Sequence, residues 1–122
     1  MINIETLENN ALKVQVAGKL EEGDFRKIGA NVDQMIKTHG TIKLLIDATE
    51  FEGWSSAKAA AAHFAFVRDH QKKIDQVALV AGHEWQHWIA GIMSVFVHPE
   101  IKVFDENGII EAESWLSHKK AV

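Results

Sequence analysis

The chain has 122 residues, of which 47% are hydrophobic and 25% are charged, and its formal net charge is −4 at pH 7. The length and composition predict one globular domain over residues 1–122. The acidic balance argues against a nucleic-acid partner, and the absence of cysteine excludes a disulfide framework and thiol chemistry. There is no signal-peptide pattern and no apolar stretch near the ~20 residues that span a bilayer, so we expect a cytoplasmic protein.

Two segments near the N-terminus alternate between apolar and polar residues, as half-buried strands do. Their apolar positions are Ile2, Ile4, Leu12, Val14 and Val16. The turn over residues 8–10 is short, which predicts an antiparallel hairpin, and we expect Gly18 to end the second strand.

A helix with one apolar stripe is predicted next. Its apolar residues recur at three- and four-residue spacing: Phe25, Ile28, Val32, Met35 and Ile36. We expect Asp24 to be the N-cap, because its carboxylate can accept a hydrogen bond from a free amide of the first turn. Gly40 is expected to end the helix.

The centre of the chain predicts a buried strand, a polar loop and a second helix. Residues 42–46 are an apolar run, residues 47–56 are predicted to form the loop, and an alanine-rich helix starts at Ala57. One face of this helix is expected to hold Ala57, Ala60, Ala61, Phe64 and Val67. Because the helix start is apolar nearly all round, we expect it to be deeply packed or pressed against a partner.

The remaining segments complete an alternating pattern. A buried strand over residues 77–81 is followed, after Gly82, by a helix that Pro99 ends. A short strand over residues 101–104 and an amphipathic helix over residues 109–116 come last. The order β-β-α-β-α-β-α-β-α predicts an α/β fold with a mostly parallel five-stranded sheet and an antiparallel N-terminal edge strand.

Polar and aromatic residues follow two of the predicted parallel strands. In open α/β sheets, ligands tend to bind beyond the carboxyl ends of the strands. The sequence therefore predicts a binding site at the loop end formed by residues 47–56 and 82–88. Its candidate residues are Asp47, Thr49, Trp54, Ser55, Ser56, His83, Trp85 and Trp88. The tryptophans would line a pocket for an apolar or flat ligand; alternatively, they are core residues.

Ser55 and Ser56 precede the alanine-rich helix and allow two interpretations. One is that a serine oxygen caps the helix. The other is phosphorylation of Ser55, since free amides at a helix N-terminus favour a phosphate. His63, within the helix, is interpreted as a packed histidine rather than a catalytic base.

Residues 83–87, with the sequence His-Glu-Trp-Gln-His, match the HExxH pattern of zinc proteases. In that pattern both histidines lie on one helix, whereas His83 directly follows a strand and Gly82. His83 and His87 are therefore metal candidates only in a third interpretation, a metal-dependent enzyme. No cofactor is predicted, and the preferred interpretation is a protein without catalytic activity.

The succession of elements resembles the SpoIIAA-like fold of STAS domains, which include anti-sigma-factor antagonists, and more remotely the lipid-binding CRAL-TRIO domains. The likeness is greatest to small uncharacterised bacterial SpoIIAA-like proteins. The segments that carry the resemblance are residues 45–47, Gly53-Trp54, 74–80, 85–89, 101–104 and 111–116. The resemblance implies a fold and no particular reaction.

The same resemblance adds one expectation about Ser55. Antagonist STAS proteins are phosphorylated on a serine in an Asp-Ser-Ser-Gly-type turn before the second helix. Ser55 is the positional counterpart, although Trp54 replaces the aspartate and Ala57 the glycine.

The preferred interpretation of the whole sequence is a domain that binds a small apolar ligand or a protein partner, with a phospho-regulated switch through Ser55 as the alternative. A two-fold homodimer through the alanine-rich helix or the sheet edge is also expected.

Overall fold

A computed structural model gives the fold of residues 2–7, 10–82 and 100–117. Within these ranges, five strands form one sheet in the order β1-β2-β3-β4-β5. The strands are β1 (Ile2–Thr6), β2 (Ala11–Leu20), β3 (Ile42–Trp54), β4 (Ile74–Ala81) and β5 (Glu100–Phe104). β1 pairs antiparallel with β2, and the other three pairs are parallel. The predicted fold class and its antiparallel N-terminal edge strand are confirmed.

Three described helices cover the two faces of the sheet. They are α1 (Asp24–His39), α2 (Ala57–His70) and α3 (Ile109–Ser117), and a short 3₁₀ turn, Gln71–Lys73, joins α2 to β4. α1 and α2 contribute to one buried cluster with Leu44, whereas α3 contributes to a second cluster with Leu45. Neighbouring residues of β3 therefore point into opposite clusters, which explains the continuous apolar run of this strand. The helix predicted over residues 85–98 lies outside the described residues.

β3 continues through the segment that was predicted to be a polar loop. The strand ends at Trp54, so only Ser55 and Ser56 separate it from α2, and the prediction of a loop over residues 47–56 is wrong. The polar residues suggested a loop, but exposed and buried residues alternate along this segment as they do in a strand. Glu50 and Glu52 are exposed, while the residues that follow each of them are buried, which is the pattern of a strand with one solvated face.

β2 is long enough to pair with this extension of β3. Leu20 lies opposite Trp54, and Gly18 lies opposite Phe51. Gly18 therefore does not end the strand, as was predicted. Its φ of +69° and the register shifts beside it instead mark an irregularity within β2.

The two ends of α1 differ in how well the sequence predicted them. The N-cap is Gly23, without a side-chain hydrogen bond, so the prediction that Asp24 is the N-cap is wrong. The Asp24 carboxylate instead accepts a hydrogen bond from the backbone N–H of Glu21 at 2.9 Å. At the other end Gly40 has a φ of +85°, and its N–H donates to the Ile36 carbonyl at 2.7 Å. Gly40 therefore ends the helix as predicted.

The predicted apolar face of α2 is only partly buried. Val67 of that face is buried, but Ala57 and Ala61 are exposed, and Ala59, which was not assigned to that face, is buried. The expected deep packing of the helix start is therefore wrong for the described contacts. The four consecutive alanines over residues 59–62 gave the sequence no periodic signal, and the aromatic residues of the later turns decide which side faces the sheet. None of the described helices is long and apolar enough to cross a membrane.

We predict that Leu45→Ala lowers the free energy of unfolding by about 2–5 kcal/mol, because Leu45 is fully buried between β3 and α3 and its loss leaves a cavity. The control is Ile110→Ala on α3, where the side chain is 78% exposed and the expected change is within about 0.5 kcal/mol. Urea unfolding measures both values. Equal effects of the two substitutions would contradict the assignment of Leu45 to the core.

Candidate functional site

An apolar cavity of about 80 Å³ lies between the sheet and the helices α1 and α2. Its described walls come from β2, β3, β4, α1 and α2, and they include the rings of Phe25, Phe51 and Phe66. His63 is the only described lining residue with a polar side chain. A mostly apolar cavity with one polar group has the composition of a small-molecule site.

His63 is held in one orientation by a hydrogen bond from the end of β3. The indole Nε1–H of Trp54 donates to His63 Nδ1 at 3.0 Å. An indole N–H can only donate, so Nδ1 must carry a lone pair, and the proton of the neutral imidazole is on Nε2. The ring also stacks on Phe25 at 5.2 Å and on Phe64 at 5.9 Å between ring centroids. Trp54 thereby fixes both the tautomer and the position of the imidazole.

Burial lowers the pKa of His63 from 6.5 to about 4. The physical cause is desolvation, since an imidazolium in this apolar layer would lose its hydration. His63 is therefore neutral at pH 7, which agrees with the lone pair that Nδ1 presents to Trp54. Its interpretation as a packed histidine agrees with these contacts, although the sequence did not indicate its partner.

Trp54 packs beside the cavity. It does not lie near the carboxyl end of β4, where the predicted shared pocket would place it. It contacts Phe51 edge-on at 5.3 Å and Phe64 at 5.9 Å between ring centroids. Ala48 is the last residue of β3 that pairs with β4, opposite Ala81. Trp54 lies six residues further on, which is up to about 20 Å along an extended strand. Of the three tryptophans predicted to share a pocket, Trp85 and Trp88 lie outside the described residues, as does His83.

Asp47 and Thr49 are hydrogen-bonded to each other. The buried Asp47 carboxylate accepts hydrogen bonds from the Thr49 hydroxyl at 2.8 Å and from the Thr49 backbone N–H at 3.1 Å. Strand alternation places Asp47 on the same face of β3 as Leu45, which packs against α3. The cavity is on the other face, where Leu44 and Ala48 line it. The structure therefore does not bring Asp47 and Thr49 together with Trp54.

The two serines before α2 have different roles. The Ser56 hydroxyl oxygen accepts a hydrogen bond from the Ala59 N–H at 3.1 Å, so the interpretation that a serine caps the helix is confirmed. Ser55 is exposed, and its backbone N–H donates to the Leu20 carbonyl at 2.8 Å. Its backbone is thus fixed to β2 while its side chain faces solvent.

Among the described residues, no three histidine, aspartate or glutamate side chains come together as a metal site. The metal candidates His83 and His87 lie outside these residues. The aromatic walls of the cavity were not identified as site residues from the sequence. Phe25 was recognised as part of the apolar stripe of α1, but that stripe gives no sign that the interface it faces is incompletely filled.

Comparisons with known proteins agree with this architecture. The sequence profile of the SpoIIAA-like family matches residues 11–117. The crystal structure of an uncharacterized protein from the DUF3478 family with a SpoIIAA-like fold, from Shewanella loihica PV-4, is similar with a TM-score of 0.75 and 28% sequence identity. The alignment covers 95% of this chain and 92% of that chain. No curated protein matches the chain significantly.

We predict that the free energy of unfolding falls as the pH is lowered from about 6.5 to about 4, with His63 as one cause. Its pKa is lower in the folded state, so in this window the unfolded chain binds the proton more readily. The contribution of His63 is constant above pH 6.5, and its slope in the window is at most about 1.4 kcal/mol per pH unit.

The measurement is urea unfolding between pH 4 and pH 7. In His63→Phe the slope should decrease by the part that His63 contributes, whereas Ala61→Leu, at an exposed and uncharged position of α2, should retain the wild-type slope. Parallel curves for wild type and His63→Phe would contradict the buried, neutral state of His63.

Proposed function

The chain belongs to the SpoIIAA-like family, and we propose that it binds a small apolar ligand in the cavity beneath α1 and α2. The SpoIIAA-like fold is in general that of a non-catalytic STAS-like domain. The main support for this proposal is the presence of the cavity. Protein interiors are close-packed and contain few voids larger than a water molecule, so an apolar space of about 80 Å³ is a specific feature of this layer.

The walls of the cavity limit the size and polarity of a ligand. An engineered apolar cavity of about 150 Å³ takes up benzene, so a cavity of about 80 Å³ accommodates no more than a ring-sized molecule unless the helices shift. The described lining is apolar except for His63. Burial of the ligand's apolar surface would supply most of the binding free energy.

The state of His63 supports binding rather than catalysis. A general base needs a free lone pair, and the Nδ1 lone pair accepts the hydrogen bond from Trp54. The other nitrogen, Nε2, carries the proton of the neutral ring. The wider sequence-based set of Asp47, Thr49, His83, Trp85 and Trp88 stays a prediction.

A protein partner or a homodimer also stays a prediction. The outer side of α2, where Ala57 and Ala61 are exposed, would be the contact surface for either.

A second candidate function is a phospho-regulated interaction through Ser55. It is supported by the exposure of Ser55 beside the N-terminus of α2, where the helix dipole favours a negatively charged phosphate. The Ser56 hydroxyl is engaged as the helix cap, which favours Ser55 as the modified residue.

For the cavity, we predict that cyclohexane or benzene raises the melting temperature of the protein in a concentration-dependent way, because a ligand that binds only the folded state stabilises it. Ala48→Leu should abolish this rise, since the added methylenes extend from β3 into the cavity. Ala61→Leu, on the exposed side of α2, is the control and should keep it. Absence of any rise in the wild type would overturn the proposed function.

For Ser55, we predict that protein purified from its natural source carries one phosphate. Intact-mass and fragment spectra should place the phosphate on Ser55, because its hydroxyl is exposed at the start of α2. When the variants are expressed in the source, Ser55→Ala should lose the phosphate and Ser56→Ala should keep it. A chain without phosphate, or with phosphate elsewhere only, would contradict the switch.

A further inference from the structure

Few groups in the described wall of the cavity can form a hydrogen bond with a ligand. None of the described lining residues carries a formal charge at pH 7, and His63 is the only one with a polar side chain. Nδ1 of His63 accepts from Trp54 at 3.0 Å, so Nε2–H is the group of this ring that is left for a ligand. No described residue accepts a hydrogen bond from Nε2. The described side chains that line the cavity therefore provide at most one donor, Nε2–H of His63, and no acceptor.

This restriction selects among ligand chemistries. A carboxylate would lose its hydration and find no cation among the described lining residues, which is costly in an apolar site. A hydroxyl or amine would leave its own proton without an acceptor side chain. A carbonyl or ether oxygen needs only a donor, and the imidazole has one.

We propose that the ligand is a small neutral molecule with an apolar body and one acceptor oxygen, and that His63 Nε2–H donates to that oxygen. This deepens the function proposed above and rests on it. Trp54 acts as a positioning residue, because its indole N–H keeps the lone pair on Nδ1 and the proton on Nε2.

Burial makes the donor insensitive to small changes in pH. The pKa of His63 is lowered to about 4 by burial, so the neutral tautomer persists across the physiological range. The groups packed against the ring are aromatic: Phe25 on α1, Trp54 on β3 and Phe64 on α2.

Three ring-sized probes test the proposal: cyclohexanone, methylenecyclohexane and cyclohexanecarboxylate. The first two have nearly the same shape, but only the ketone has an acceptor. Water solvates the ketone better than the alkene, so their absolute affinities do not isolate the hydrogen bond. The informative quantity is the change in their affinity ratio between wild type and His63→Phe, as in a double-mutant cycle.

The expected result is a ketone-to-alkene affinity ratio that falls roughly three- to tenfold in His63→Phe, the range of one net hydrogen bond. His39→Gln should leave the ratio unchanged. The carboxylate should bind more weakly than the ketone. If the alkene binds and the ratio is the same in wild type and variant, the inference is overturned and ligand binding stands. If no probe binds, the proposed function fails, and the inference fails with it.

Nitrogen NMR of the wild-type imidazole is a second measurement that does not depend on the variant folding. Cyclohexanone should shift the His63 Nε2 resonance and leave Nδ1 in its unprotonated range, while methylenecyclohexane should move Nε2 much less. Trp54→Phe should release the tautomer, so that Nδ1 becomes partly protonated. An unchanged tautomer in this variant, or equal shifts with ketone and alkene, would contradict the assigned roles.

Discussion

The hydrogen bond between Trp54 and His63 joins the end of the longest strand to the middle of α2, and the candidate site depends on it. It requires β3 to run to Trp54, well beyond its last pairing with β4 at Ala48. It also requires His63 to be neutral, which burial ensures by lowering its pKa to about 4. The contact thus ties β3 to α2 and sets the tautomer of the imidazole that lines the cavity.

The two faces of the sheet are covered by different described side chains. On the α3 side, Leu45, Ala78, Val80 and Ala112 are fully buried, and the rings of Phe104 and Trp115 pack beside them. On the α1 and α2 side, three phenylalanine rings and the imidazole meet, and rigid rings leave the space of about 80 Å³ between them.

The sequence predicted the fold far better than the site. Strand alternation in β1 and β2, the stripe of α1 and the stop at Gly40 follow from local periodicity and backbone freedom, which any fold must respect. The extension of β3 was missed because it depends on pairing with β2, at the pair Leu20 and Trp54. The buried face of α2 was predicted only in part, at Val67, because consecutive alanines carry no periodic signal.

The site was less predictable for a physical reason. Trp54 was selected as an aromatic residue beside a strand end, but its partner His63 lies nine residues later on a helix whose orientation tertiary packing decides. Asp47 is separated from the cavity because successive residues of β3 face opposite sides of the sheet. This alternation could not be used for a segment that was predicted to be a loop. A cavity arises where the packed strands and helices enclose more volume than their side chains fill. Hydrophobic periodicity within one segment of the sequence does not reveal this difference.

The proposed ligand binding requires an accessible apolar space beside His63, in the layer between the sheet and the helices α1 and α2. The most direct measurement is a crystal structure of the protein under xenon pressure, because xenon enters apolar cavities without needing a polar contact. We expect xenon density between the rings of Phe25, Phe51 and His63. Close contacts among these rings, with no density between them, would contradict it.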